Sequence, residues 1–96
     1  MDIQISGATL VVSGNIKTIH DYQLLKKKLD EVARDHKRIV LEIKDSISIT
    51  SSVIGYLTKL VQKDGVEIAI KVGDANLYEL FEEINLLSLF HVKKVP

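Results

Sequence analysis

The sequence contains no cysteine, which excludes a disulfide framework and a thiolate metal site. Basic and acidic residues balance at 13 each, so no net charge attracts nucleic acid or an anionic membrane. Its five aromatic residues provide no clear platform for stacking single-stranded nucleic acid. No apolar run approaches the roughly 20 residues that a membrane-spanning helix needs. These absences argue against nucleic-acid binding and against a membrane span.

What remains is the composition of a small globular protein. The chain has 96 residues, of which 46% are hydrophobic and 27% charged, as in ordinary globular domains. We therefore expect one domain over residues 1–96. The first ten residues, MDIQISGATL, lack the basic and apolar segments of a signal peptide, which together with the missing cysteines predicts a cytoplasmic location.

Strand patterns occur four times. Residues 2–6 (DIQIS) and 8–14 (ATLVVSG) are short, β-branched and separated by Gly7, which predicts a β-hairpin. Residues 38–43 (RIVLEI) are nearly all apolar, as in a central strand covered on both faces. Residues 66–72 (VEIAIKV) alternate and place four aliphatic side chains on one side.

Helical patterns lie between and after these strands. Apolar spacings of three and four predict helices over 19–34, 52–64 and about 75–84, with Thr18 and Asp74 as N-caps and Gly65 at a C-terminus. The final segment predicts a helical turn and an edge strand. The order predicts an α/β fold with a mixed four- to five-stranded sheet, in which an N-terminal hairpin leads into parallel crossovers with helices mainly on one face. The predicted inward stripes are Ile19, Tyr22, Leu25, Leu29, Val32 and Ala33; then Val53, Leu57, Leu60 and Val61; then Leu77, Leu80, Phe81 and Ile84.

Three consecutive hydroxyl side chains, Thr50, Ser51 and Ser52, stand where the second predicted helix begins. Serine and threonine are favoured N-caps because their oxygens accept hydrogen bonds from the first helical amides. The same position favours a phosphate, since free N–H groups and the positive end of the helix dipole meet there. Both a cap and a phosphorylation site are compatible with the pattern.

Two residues of this helix lie off its apolar stripe. Ile54 and Tyr56 are candidates for a partner-binding surface, and tyrosine is enriched at protein interfaces. The alternative is that a small α/β domain buries both of them.

No catalytic or metal-binding constellation is apparent. His20, His36 and His91 are scattered, without a second ligand at a metal-site spacing. No phosphate-binding glycine loop or nucleophile elbow occurs. We therefore predict no catalytic residues, no metal and no cofactor.

The order of elements and three segments resemble the STAS family, named for sulfate transporters and anti-sigma factor antagonists. VVSGNI (11–16) is similar to the family's second strand and following turn. RIVLEI with ITSSVIGYL (49–57) resembles the central strand and the Asp-Ser-Ser/Ala-Gly-Leu motif that opens the second helix. LYELFEEINLLSLFHV (77–92) resembles the closing helix. The likeness spans nearly the whole chain.

The resemblance implies a phosphorylation site and a partner surface. Ser51 matches the family's phosphorylated serine, with Ser52 and Thr50 as alternative acceptors. The sequence departs from the family at three places: Thr50 replaces the motif's Asp, Lys17 replaces an acidic residue after the second strand, and Val53 replaces a Gly. We expect Lys17 to pair with a phosphate on Ser51. The implied partner-binding residues are Lys17, Thr50, Ser52, Ile54, Gly55 and Tyr56.

The resemblance also implies the partners. An anti-sigma factor antagonist in a bacterial partner-switching system binds a serine kinase with a histidine-kinase-type ATPase fold, which also acts as the anti-sigma factor. A phosphatase removes the phosphate again. The alternative is a phosphorylation-independent accessory or scaffold subunit of a transporter or signalling complex. The resemblance gives the class of the partner, and the individual partner and the oligomeric state stay open at this point.

Overall fold

A computed structural model describes residues 1–96 as a five-stranded sheet with three helices. Strands lie side by side in chain order, with β1 antiparallel to β2 and all later neighbours parallel. The predicted α/β fold with an N-terminal hairpin and parallel crossovers is confirmed. The elements are β1 (Asp2–Ser6), β2 (Thr9–Ser13), α1 (Ile19–Asp35), β3 (Arg38–Ile43), α2 (Ser51–Gln62), β4 (Glu67–Val72), α3 (Ala75–Glu83) and β5 (Lys93–Lys94).

The helices occupy one face of this sheet. Three successive crossovers join neighbouring parallel strands in one direction, and crossovers of one hand place their helices on the same side. The strand side chains that face the helices form the core, because alternate residues of a strand point to the same face. The buried members of this face are Leu10, Val12, Ile39, Leu41, Ile43, Ile68, Ile70 and Val72.

The opposite face of the sheet is open. Val40 and Glu42 of the central strand are only half-buried, whereas their neighbours along β3 are fully buried. The prediction that both faces of β3 are covered is therefore wrong. A strand can be nearly all apolar and still be covered on one side only, since Val40 packs within the sheet beside Ala69 of β4.

Helix α1 begins as the sequence predicts. Thr18 accepts a hydrogen bond from the Asp21 amide, and the Asp21 carboxylate accepts one from the Thr18 amide, which together make a capping box. The predicted stripe holds for its buried centre, Leu25, Leu29 and Val32. Ile19 is an exception because it is 73% exposed, so its place in the stripe was wrongly predicted.

Helix α2 spans nearly the predicted range and ends at Gln62. Gly65 lies two residues beyond the C-cap Lys63 and has a φ of 68°, a left-handed conformation that glycine adopts without strain. The Val66 amide then donates to the Leu60 carbonyl, at 2.9 Å, and turns the chain into β4.

The last third of the chain also follows the predicted order. Asp74 caps α3 by accepting from two amides, and the turn after it leads into β5, which pairs in parallel with β4. Phe81 of α3 and Phe90 of the turn pack edge to face in the core, with ring centroids 6.2 Å apart. Ile84 departs from the predicted stripe, since it lies at the helix end and is 39% exposed.

None of the helices has both the length and the apolar character that crossing a bilayer requires.

Candidate functional site

Two loops meet at the carboxyl end of the central parallel strands. The first loop (residues 14–18) connects β2 to α1, and the second loop (residues 44–50) connects β3 to α2. Because β2 and β3 are parallel neighbours, both loops leave the sheet at the same end, and so both helices begin there. The hydroxyl cluster Thr50–Ser52 therefore lies at the functional end expected of an open α/β sheet.

Ser46 holds the two loops together from inside. It is the one polar residue that is fully buried. Its hydroxyl accepts from the Ile16 amide at 3.0 Å and donates to the Ser48 carbonyl at 2.6 Å. A single side chain thus satisfies one backbone group of each loop, which removes the cost of leaving either unpaired.

Two further hydrogen bonds flank Ser46. The Asp45 carboxylate accepts from the Gly14 amide at 2.7 Å, and the Asn15 side-chain oxygen accepts from the Ile47 amide at 3.1 Å. Each bond crosses from one loop to the other. The loop that delivers the chain to α2 is therefore tied to its neighbour at three consecutive residues.

The three residues of the hydroxyl cluster have different roles. Thr50 is the N-cap, and its side-chain oxygen accepts from the Val53 amide at 3.3 Å. Ser51 and Ser52 form the first turn of α2, are both exposed, and make no side-chain hydrogen bond. One residue therefore provides the cap, and two serine hydroxyls remain accessible to another molecule.

The start of α2 also carries no negative charge. Its first turn contains no acidic residue, and its cap is a neutral threonine. At α1, by contrast, the Asp21 carboxylate accepts from the amides of Lys17 and Thr18, both at 3.0 Å, and these bonds lower the pKa of Asp21 below its ordinary value. At α3 the cap itself is Asp74. Among the three helices, only α2 presents an N-terminus without a carboxylate.

The other predicted partner-binding residues differ in accessibility. Lys17 is exposed and lies in the first loop, and its side chain forms none of the ion pairs in the structure. Gly55 is exposed, with no atom near the position that a Cβ would occupy. Ile54 is half-buried against the core.

Tyr56 lies between the helices instead of on the surface. It is 6% exposed, and its hydroxyl donates a hydrogen bond to the Asp30 carboxylate of α1. The ammonium groups of Lys26 and Lys59 lie 5.2 and 5.7 Å from the centre of its ring, within the range of cation–π attraction. Tyr56 thus joins α1 to α2, in line with the alternative that a small domain buries it.

Two exposed isoleucines flank the joined loops. Ile19 begins α1 directly after the first loop, and Ile47 lies in the second loop with 56% of its surface exposed. We call them the isoleucine pair. The Asn15 bond to the Ile47 amide holds Ile47 beside the first loop, so both apolar side chains face solvent at the same end of the sheet as Ser51.

Sequence reasoning missed the residues that build this end. Asn15, Asp45 and Ser46 were not predicted as site residues, although short polar side chains that follow two neighbouring strands are typical of loop-to-backbone bonding.

No group of three histidine, aspartate or glutamate side chains is close enough to bind a metal ion. Open clefts occur at the opposite end of the sheet, around Arg38 and His91, and so do not adjoin the serines.

No model of a known protein family matches the sequence, and no curated protein matches it either.

Proposed function

We propose that the protein is a STAS-like regulatory domain that binds a protein partner through the start of α2 and releases it when Ser51 is phosphorylated. The proposal combines the resemblance of residues 49–57 to the family motif with one structural observation. Because Thr50 provides the helix cap, the exposed hydroxyls of Ser51 and Ser52 are free of any structural role. A phosphate on Ser51 would therefore break no existing bond of the fold.

Electrostatics support reversible modification at this position. A phosphoserine carries about −1.5 to −2 charges at neutral pH. The free N–H groups of Ser51 and Ser52 and the dipole of α2 favour that charge, and no carboxylate in the first turn of α2 opposes it. The fold thus tolerates the phosphate, while a partner seated over Ser51 would have to desolvate it. Phosphorylation is expected to weaken binding for this reason.

The isoleucine pair supports a protein partner. Ile19 and Ile47 expose apolar surface at the same end of the sheet as Ser51, and covering such surface contributes roughly 25 cal/mol per Å² to association. Lys17, Ile54 and Gly55 complete the proposed contact around the hydroxyl cluster. Tyr56 is not part of it, because its ring is buried between α1 and α2.

The proposed partner follows from the family resemblance. It is a bacterial serine kinase with a histidine-kinase-type ATPase fold that also acts as an anti-sigma factor, and a phosphatase resets Ser51. The kinase supplies ATP, so this chain needs neither a cofactor nor a catalytic group of its own. Both encounters would take place in the cytoplasm.

A second candidate function is a phosphorylation-independent accessory or scaffold subunit of a transporter or signalling complex. The neutral cap favours it, because Thr50 stands where the family motif has an Asp. The isoleucine pair would serve a permanent interface equally well. In this alternative Ser51 contacts the partner and stays unmodified.

The first experiment measures phosphate on the tryptic peptide 45–59 isolated from the native host. Cleavage after Lys44 and Lys59 places the whole hydroxyl cluster in this peptide, and fragment masses distinguish Ser51 from Ser52 and Thr50. Phosphate on Ser51 that varies with growth condition is the expected result. A peptide without phosphate under all conditions would favour the accessory subunit.

Binding variants test the mechanism with the partner that co-purifies from the host. Ser51→Asp is expected to weaken the complex at least tenfold, while Ser51→Ala should leave its dissociation constant nearly unchanged. Ser88→Asp is the matched control, since it adds the same charge at an exposed serine outside the site. Equal affinity of all three variants would contradict a switch at Ser51.

A further inference from the structure

The two edges of the sheet differ in how they are protected. Edge strands expose unpaired backbone groups, and proteins commonly block them with short length, lysine or proline. Strand β5 has all three devices, since it consists of Lys93 and Lys94 and Pro96 follows shortly. Strand β1 has none of them. It is five residues long, contains neither lysine nor proline, and pairs with β2 without a bulge.

The hairpin register shows which groups of β1 are unpaired. Gly7 and Ala8 form a two-residue turn, so Ser6 and Thr9 make the first hydrogen-bonded pair. Bonded and non-bonded pairs alternate along an antiparallel ladder, so Gln4 also bonds to β2 whereas Ile3 and Ile5 do not. The N–H and C=O groups of Ile3 and Ile5 therefore point outward, and no other bond in the structure uses them.

We propose that this edge pairs with β1 of a second copy of the chain, in an antiparallel dimer with Gln4 at its twofold axis. In that register Ile3 lies opposite Ile5 of the other copy, and the twofold repeats the pair. Each pair exchanges two hydrogen bonds, so all four outward groups of each chain find a partner. The two sheets would join into one continuous sheet.

The side chains of β1 fit the same register. Ile3 and Ile5 point to the helix side of the sheet, and Ile5 is 40% exposed because no helix lies over the outer edge. Opposite residues of paired strands share a face, so the dimer would bring four isoleucines together. On the open face Asp2, the only charge of β1, lies opposite an uncharged Ser6, so no like charges meet.

The proposed interface between the two β1 strands is small. A five-residue edge provides less surface than the roughly 1,200–2,000 Å² that stable complexes bury, so the dimer should be weak and dependent on concentration. This inference concerns a surface on the opposite side of β2 from β3 and α2, and it does not rest on the proposed function. The dimer proposal can therefore be wrong while the proposed phosphorylation of Ser51 is right, and the phosphorylation proposal can be wrong while the dimer forms.

Sedimentation equilibrium of the wild-type chain from micromolar to millimolar concentration is the first test. The mass should rise from 10.8 kDa towards twice that value. Amide exchange identifies the interface, since the Ile3 and Ile5 amides should become protected as concentration rises while the Gln4 amide is protected throughout. A monomer at every concentration, with unprotected Ile3 and Ile5 amides, would overturn the proposal and leave the edge for a different chain.

A pair of charge variants tests the register. Gln4→Lys places two ammonium groups opposite each other at the twofold axis and should raise the dissociation constant at least tenfold. Ser6→Lys adds the same charge two residues away but faces Asp2 of the other copy, so dimerisation should be unchanged or stronger. Both positions are exposed in the monomer, and urea unfolding checks that each variant folds. Equal weakening by both variants would overturn this register.

Discussion

Helices α1 and α2 begin at the same end of the sheet, yet only the N-terminus of α1 carries a carboxylate. Both use a threonine as N-cap. At α1 the Asp21 carboxylate accepts from the amides of Lys17 and Thr18, whereas the first turn of α2 contains two exposed serines and no carboxylate. An added negative charge, such as the proposed phosphate on Ser51, should therefore stabilise the start of α2 more than that of α1.

The same comparison separates structure from binding. The loops that lead into the two helices share Ser46 and its flanking bonds, so they hold each other in place. Ser51 and Ser52 take no part in these bonds between the loops. A modification at α2 can therefore change the surface without loosening the loops that present it.

The largest expected effect comes from removing the hydrogen bonds by which Ser46 links the two loops. Ser46→Ala removes the partner of the Ile16 amide and of the Ser48 carbonyl, and leaving such buried groups unpaired costs about 1–3 kcal/mol. Urea unfolding should show this loss in the free energy of unfolding. Ser48→Ala is the control, because the Ser48 side chain makes no hydrogen bond and only its carbonyl is used. Equal losses in the two variants would contradict the role assigned to Ser46.

A smaller effect is expected when the N-cap of α2 is changed. Thr50→Ala should lower the free energy of unfolding by about 1 kcal/mol through loss of the cap. Thr50→Asp should raise the free energy of unfolding by about 0.3–1 kcal/mol at low ionic strength, because the new carboxylate lies at the positive end of the helix dipole, where no other carboxylate is present.

The matched substitution at the other helix sharpens this result. Thr18→Asp would place a second carboxylate beside Asp21, so its gain in unfolding free energy should be smaller than that of Thr50→Asp. Thermal and urea unfolding of both variants at low and high salt measure the difference. An equal gain at the two helices would show that their N-termini do not differ as described.

The smallest effect is the pH dependence of the α1 cap. Since folding lowers the pKa of Asp21, its contribution is complete above the ordinary aspartate pKa of about 3.9 and is lost as pH falls through the lower folded value. Wild type should therefore exceed Asp21→Asn in stability at pH 6, and the difference should shrink below about pH 4. A difference that stays constant from pH 6 to pH 2 would argue against a charged cap.

Several features were readable before folding was considered. The capping threonine of α1, the hairpin around Gly7 and the alternation of β4 depend on neighbours a few residues apart, and all were predicted; that the turn also includes Ala8 was not. Ile19 was wrongly predicted to face inward, and the sequence left open whether Tyr56 is buried. Helical periodicity assigns a side chain to a flank, but the neighbouring helix decides whether that flank is covered.

The order of strands and helices could be predicted from the sequence alone, because hydrophobic period and capping residues act locally. The position of the three hydroxyls at the start of α2 could be predicted in the same way. Which of them caps the helix and which remain free became clear only in the folded chain, where Ser46 also links two loops 30 residues apart in the sequence. Such pairings depend on which strands lie side by side, and no local pattern encodes the partner of a distant amide.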